Sequence, residues 1–150
     1  MHHPSRRNVI RLLLLATAAP FGTSVPSIAA KRVLLAIEGY DPVAYFTMGR
    51  PARGLSEFEY EWDENHYRFV SAEHRDLFKA DPVRYAPQFA NFCAMALTRG
   101  EIVEADPNNW LIVDGKLYIF GAAHGPDSFR KGLPENVAKA NRNRPLIEKQ

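Results

Sequence analysis

The dipeptide Asp114-Gly115 separates two apolar runs, residues 110–113 and residues 116–120. Asp-Gly readily adopts the positive φ angles of a type I′ turn, which joins two antiparallel strands through only two residues. The sequence therefore predicts a β-hairpin over residues 110–120, and any fold proposed for this chain has to contain antiparallel sheet.

A second segment alternates aromatic and acidic side chains. Phe58, Tyr60 and Trp62 alternate with Glu57, Glu59, Glu61 and Asp63. This period of two predicts a half-buried strand with aromatic residues on the inner face and acids on the outer face. Residues 63–65 supply a turn, and residues 66–70 return as the partner strand of a second hairpin. The acidic face is expected to be solvated, with a loose cation-binding or partner surface as the alternative.

Short helices are predicted after this hairpin. Ser71 is a typical N-cap residue, and Glu73 in the first turn suits the helix dipole, so a helix is expected over residues 72–80. Asp81-Pro82 ends this helix and begins a short one over residues 83–85.

Other segments give weaker patterns. Residues 43–46 have the composition of a strand. Residues 90–97 are apolar and are compatible with either a buried strand or a buried helix, of which we favour the helix. Helical structure is also expected over residues 126–130 and 134–141, followed by a frayed tail.

These elements predict an α+β fold, a small single domain of β-hairpins packed with short helices. The chain has 150 residues, of which 46% are hydrophobic. The predicted domain spans residues 31–150, about 120 residues, which is enough for one sizeable core.

Residues 1–30 have the pattern of an export signal. Ser5-Arg6-Arg7 is followed by an apolar stretch and then by small residues up to Ala30. The adjacent arginines are typical of the twin-arginine type of signal, so the protein is expected to be periplasmic or otherwise exported. Cleavage is expected after Ala29 or one residue later, leaving no membrane association. The alternative is an uncleaved anchor over residues 12–30.

Charge and motifs exclude several classes of function. Three of the 19 basic residues lie in the leader, which leaves 16 basic and 17 acidic residues, so nucleic acid is not expected as a partner. Cys93 is the sole cysteine, so no internal disulfide can form. The chain lacks a phosphate-binding glycine loop, a Gly-x-Ser-x-Gly turn and His-Glu-x-x-His, so we do not expect an enzyme of those classes.

Five motifs together resemble the YHS domain family. The motifs are Gly-Tyr-Asp-Pro-Val-Ala-Tyr at 39–45, Tyr-Arg-Phe at 67–69, Ser-Ala-Glu-His-Arg-Asp-Leu-Phe at 71–78, Asp-Pro-Val-Arg-Tyr-Ala-Pro-Gln-Phe at 81–89 and Phe-Cys-Ala at 92–94. The hairpin over residues 110–120 is also similar to that of exported stand-alone members. The resemblance implies a small α+β domain that handles copper or another heavy metal.

The chain departs from the cysteine-rich metal-binding pattern of related domains. Cysteines of those relatives are replaced here by Ala44, Val70, Ser71 and His74. His74 and Cys93 remain as candidate ligands, with Asp41 or His66 as a possible third ligand if the fold brings it close. Because a closed zinc site usually has four ligands, a sparse site for a copper or zinc ion is expected, with copper(I) suited to thiolate and imidazole.

Three classes of function follow from these residues. The first is a non-enzymatic binding domain for a transition metal. The second is a thiol-dependent activity in which Cys93 is the nucleophile or redox centre and His74 or His66 is the base, which requires hydrogen-bond reach between them. The third is a structural role or an interaction with a periplasmic protein partner. Each residue also has a simpler role, with His74 solvated, Cys93 packed as a small hydrophobe, Asp41 forming a turn and the tyrosines filling the core.

Overall fold

Short helices and strands alternate through the computed structural model, which describes residues 33–150. The predicted export signal at residues 1–30 lies outside the described residues. The α+β class is confirmed. In chain order the strands are β1 (Leu34–Leu35), β2 (Leu55–Trp62), β3 (Asn65–Phe69), β4 (Asp106–Val113) and β5 (Lys116–Phe120). The helices are α1 (Ala44–Thr47), α2 (Ala72–Ala80), α3 (Pro82–Tyr85), α4 (Ala94–Leu97), α5 (Gly125–Lys131) and α6 (Leu133–Asn143).

Both predicted hairpins are confirmed. Strand β3 is central in a three-stranded sheet, parallel to β1 and antiparallel to β2. Strands β4 and β5 form a separate two-stranded sheet. The turn between them has φ angles of 51° at Asp114 and 70° at Gly115, so both turn residues have the positive φ that a type I′ turn needs.

The register of β2 shifts near its start. Leu55 pairs with Phe69 and Glu59 pairs with Arg68, so the residues between Leu55 and Glu59 bulge out of the ladder. Gly54 lies against β3 at this point, where a Cβ atom would stand 2.4 Å from the carbonyl carbon of Arg68. A side chain at position 54 would therefore displace the backbone.

The helices after the first hairpin begin where the sequence predicts. Ser71 Oγ accepts a hydrogen bond from the N–H of His74, which caps α2. Asp81 Oδ1 accepts from the N–H of Arg84 and caps α3, with Pro82 as its first residue. These caps satisfy backbone donors that a helix leaves unpaired in its first turn.

The strand predicted at residues 43–46 is wrong, because these residues lie at the start of α1 and within it. Asp41 Oδ1 accepts hydrogen bonds from the N–H groups of Val43 and Ala44. These bonds favour helical backbone after the Asp41-Pro42 turn and override the strand propensity of the side chains.

Two segments differ from their predicted structure: the helix within residues 90–97 is shorter than expected, and the C-terminal tail is more ordered. Helix covers only Ala94–Leu97 of the apolar run 90–97, and Phe92 instead bridges to Glu104. The expected frayed tail is a 3₁₀ helix, Arg144–Lys149, because Ile147 packs against the core and holds it.

The buried side chains form two clusters. The first joins the three-stranded sheet to α2 and α3 and contains Tyr67, Phe69, Phe78 and Tyr85. The second joins β5 to α4, α5 and α6 and contains Leu97, Tyr118, Phe120 and Phe129. Within residues 33–150, no helix has the length and apolar character needed to cross a membrane.

Candidate functional site

Asp41 is a carboxylate with no exposed surface, and both of its oxygens are bonded. Oδ1 accepts from the N–H of Val43 at 2.8 Å and of Ala44 at 3.3 Å. Oδ2 accepts from the N–H of Val70 at 2.9 Å and lies 2.6 Å from Nδ1 of His74. One side chain thus joins the start of α1, the end of β3 and the first turn of α2. A buried carboxylate is stable only when its oxygens are satisfied in this way.

The backbone immediately before Asp41 is strained. Ile37, Glu38 and Gly39 all have positive φ, at 49°, 50° and 83°. Such values are unfavourable for a β-branched residue such as Ile37. The N–H of Ile37 donates to Oδ1 of Asn91 at 2.7 Å, and the N–H of Asp41 donates to the carbonyl of Ala52, so contacts from distant segments hold this backbone in place. Strain held by surrounding contacts is common near functional groups.

His74 is oriented by the buried carboxylate. Its side chain is 12% exposed, and its Nδ1 faces Asp41. The other ring nitrogen, Nε2, lies 3.2 Å from Oγ1 of Thr47 in α1. When Nδ1 carries the proton and donates to Asp41, Nε2 keeps its lone pair on the side of Thr47.

Thr47 is the member of this group that the sequence interpretation missed. It is exposed, and its Oγ1 lies 3.2 Å from the carbonyl oxygen of Val43 as well as from His74. Its single hydroxyl proton can be donated to one of these acceptors at a time. The sequence predicts a strand at residues 43–46, and a strand does not place Thr47 near the His74 ring. Recognising helix α1 would have been needed to find Thr47.

Cys93 lies apart from this group. It is 7% exposed, belongs to the second core cluster and accepts at Sγ a hydrogen bond from the N–H of Ala96. The structure thus brings together Asp41 and His74 of the predicted ligands, and it places Cys93 in the other cluster. Among residues 33–150, no group of three or more His, Cys, Asp or Glu side chains is arranged to hold a metal ion.

His66, the other predicted base or ligand, lies on the outer face of the first hairpin. Its Nε2 is 2.7 Å from Oε2 of Glu59, and its Nδ1 is 3.6 Å from Glu61. Hydrogen bonds from His66 and then from Arg68 lower the pKa of Glu59. The ring nitrogens of His66 and His74 contact other groups, so neither of these two predicted bases is bonded to the Cys93 thiol.

The tyrosines serve mainly as core. Tyr45, Tyr67 and Tyr85 are buried, as the packing interpretation predicts. The hydroxyl of Tyr45 donates to the carbonyl oxygen of Pro107 at 2.8 Å, and burial raises the pKa of Tyr45 well above its ordinary value. Burial also raises the pKa of Tyr67. These tyrosines therefore pack in the core, and we take the group formed by Asp41, His74 and Thr47 as the candidate site.

The group, which we call the Asp41–His74–Thr47 site, has one exchangeable position. Asp41 is enclosed, and Nδ1 of His74 is bonded to it, whereas Nε2 faces an exposed hydroxyl that has an alternative acceptor in Val43. A carboxylate behind one ring nitrogen fixes the tautomer and orients the other nitrogen, both in metal centres and in acid–base groups.

No protein-family model, curated protein or solved structure matches this chain. The resemblance to the YHS domain family therefore rests on the motifs quoted above.

Proposed function

We propose that this protein is an exported, non-enzymatic YHS-like binding domain in which Nε2 of His74 binds a copper or zinc ion. The observation that supports the proposal is the 2.6 Å contact between Asp41 Oδ2 and His74 Nδ1. A carboxylate on one nitrogen of a ligating histidine fixes the orientation of the ring. Thr47 can leave Nε2 because its hydroxyl retains the carbonyl of Val43 as an acceptor.

The donor set fits an open site and does not fit a closed four-ligand site. The oxygens of Asp41 are occupied by three backbone N–H groups and by His74, and Cys93 packs in the other cluster. His74 is then the ligand that this chain supplies, and Asp41 supports it. Water or a donor from a protein partner completes the coordination, which suits transfer of an ion between proteins more than permanent storage.

Metal titration of the full chain, carrying no added histidine tag, tests this proposal. Zinc and, under reducing conditions, copper(I) are titrated into the wild type and into variants with His2 and His3 replaced throughout. We expect His74→Gln to weaken binding at least about tenfold, because it removes the ligand. His66→Gln is the matched control, since His66 also contacts a carboxylate but lies on the outer face of the hairpin.

Cys93→Ser separates this site from a thiolate site. We expect Cys93→Ser to bind both ions as tightly as the wild type, because Cys93 is not part of the Asp41–His74–Thr47 site. Equal binding by the wild type and His74→Gln would overturn the proposal and favour an interaction role. Loss of binding in Cys93→Ser alone would restore a thiolate site.

A further inference from the structure

Thr47, His74 and Asp41 form a chain of contacts from the surface to a buried carboxylate. Oγ1 of Thr47 lies 3.2 Å from Nε2 of His74, and Nδ1 of His74 lies 2.6 Å from Oδ2 of Asp41. A hydroxyl, an imidazole and a carboxylate in this order make up an activated nucleophile, its base and the group that orients the base. From this geometry we propose that Thr47 is a site of covalent acylation by activated esters.

The protons and bonds of this step balance without another reactant. Oγ1 of Thr47 attacks the carbonyl carbon of the ester while its proton passes to Nε2 of His74. The bond from the carbonyl carbon to the leaving oxygen then breaks, and His74 returns the proton to that oxygen. The products are acyl-threonine and a free alcohol or phenol. Asp41 stabilises the imidazolium that exists between the two transfers.

The hydroxyl of Thr47 has two acceptors, and only one of them activates it. Donation to the carbonyl of Val43 is the usual bond of a helical threonine to the preceding turn, whereas donation to His74 prepares the oxygen for attack. The carboxylate behind His74 favours the second state because it holds the ring with Nε2 directed at Thr47.

Thr47 is exposed, so an ester can reach its hydroxyl from solvent.

Reaction of the full chain with 4-nitrophenyl acetate tests the proposal. Release of nitrophenol is followed by absorbance, and the acetylated residue is located by mass spectrometry of peptides. We expect an acetyl group on residue 47 of the wild type and of Thr47→Ser. We expect none on residue 47 of Thr47→Val. The matched control is Thr98→Val, because the Thr98 hydroxyl also donates to a backbone carbonyl, that of Met95.

The histidine variants show whether the imidazole activates the hydroxyl. We expect His74→Gln to slow acetylation of Thr47 about a hundredfold, a typical contribution of a general base. His66→Gln is expected to leave it unchanged. Acetylation confined to lysine or histidine side chains, or equal acetylation of Thr47 in the wild type and His74→Gln, would overturn the proposal.

Acylation and metal binding share His74 but are separated by Thr47. Thr47→Val is expected to lose acylation and to keep zinc affinity, because Nε2 remains available. If zinc fails to bind while Thr47 is still acetylated, the proposed function fails and this inference stands. If zinc binds but Thr47 is not acetylated, the acylation proposal fails and the proposed function stands.

Discussion

The Asp41 side chain joins three segments that are distant in sequence. It accepts hydrogen bonds from Val43, Ala44 and Val70 and contacts His74, and it has no exposed surface. Removing the acceptor of several buried N–H groups is costly because those groups then stay buried without a hydrogen-bond partner. Asp41 therefore supports the fold as well as the orientation of His74.

Asp41→Asn should destabilise the protein by about 3–5 kcal/mol, because an amide replaces one acceptor oxygen with a donor that faces backbone N–H groups or His74. Urea unfolding followed by circular dichroism measures this change. The matched control is Asp76→Asn, an exposed carboxylate paired with Arg75, for which a change below about 1 kcal/mol is expected. Similar small changes in both variants would contradict the role assigned to Asp41.

At the scale of residues, the sequence predicted part of the site. The Asp-Pro pair indicates a turn in which Asp41 bonds to its own backbone, and its bond from Val43 confirms this. His74 and Asp41 were both candidate ligands, but a contact between residues 33 positions apart depends on how α2 packs. Thr47 could not be predicted, because its role depends on a helix that composition assigned to a strand.

At the level of secondary structure, Phe78 packs α2 against the first hairpin. Its ring is fully buried and contacts the rings of Tyr60, Trp62, Tyr67 and Phe69 at centroid distances of 6.3, 6.0, 4.6 and 5.2 Å. The aromatic face of the hairpin therefore packs on this helix through direct ring contacts. The same packing holds His74 over Asp41.

Phe78→Ala should lower the free energy of unfolding by about 3–5 kcal/mol, the usual cost of removing a buried ring. Val83→Ala in α3 is the control, because Val83 is 71% exposed and its loss should cost less than about 0.5 kcal/mol. Denaturant unfolding of both variants measures the difference. A loss under about 1 kcal/mol for Phe78→Ala would show that α2 does not dock through this ring.

Glu59, on the outer face of the same hairpin, should make a pH-dependent contribution to the free energy of unfolding. Hydrogen bonds from His66 and Arg68 lower the pKa of Glu59 from its ordinary value of 4.5. The stabilisation is therefore fully present above pH 4.5 and is lost as the pH falls through the lowered pKa. Because these side chains are partly exposed, Glu59→Gln should cost less than about 1 kcal/mol near neutral pH.

The free energy of unfolding of the wild type and of Glu59→Gln, measured from neutral pH to below the lowered pKa of Glu59, gives the contribution of the Glu59 carboxylate. We expect their difference to shrink towards zero in acid. Glu57→Gln, on the same strand, should show a smaller difference at every pH. A difference between the wild type and Glu59→Gln that grows as the pH falls would contradict the assignment.

The elements were predictable where local chemistry and tertiary contacts agree. The Asp114-Gly115 turn and the Ser71 cap act on their own neighbours, so the pattern alone located β4, β5 and α2. The segments 43–46 and 90–97 were harder to predict because Asp41 and the Phe92 bridge to Glu104 decide their conformation. Composition does not encode those contacts.

At the scale of the whole molecule, the two core clusters divide the candidate residues. Asp41 contacts His74 and accepts a hydrogen bond from Val43 of the first cluster, whereas Cys93 belongs to the second. His74 and Cys93, the two soft ligands expected to share an ion, therefore do not form one group within residues 33–150. The sequence could list the donors, but only the packing of the two clusters decides which of them meet.

The proposed export of this protein can be tested through residues 1–30. We propose that Arg6 and Arg7 direct the protein through the twin-arginine route, because they follow Ser5 and precede an apolar stretch. Replacing both with lysine should leave uncleaved precursor in the cytoplasm, as detected by fractionation and immunoblotting. Unchanged export of this variant would contradict the proposed route.

The tautomer of His74 shows whether Asp41 fixes the ring with Nε2 available for a ligand. Long-range ¹H–¹⁵N spectra of the ring, recorded where the imidazole is neutral, show which nitrogen carries the proton. We expect a proton on Nδ1 and a zinc-dependent shift of the Nε2 signal. A proton on Nε2, with both ring nitrogens insensitive to zinc, would contradict it.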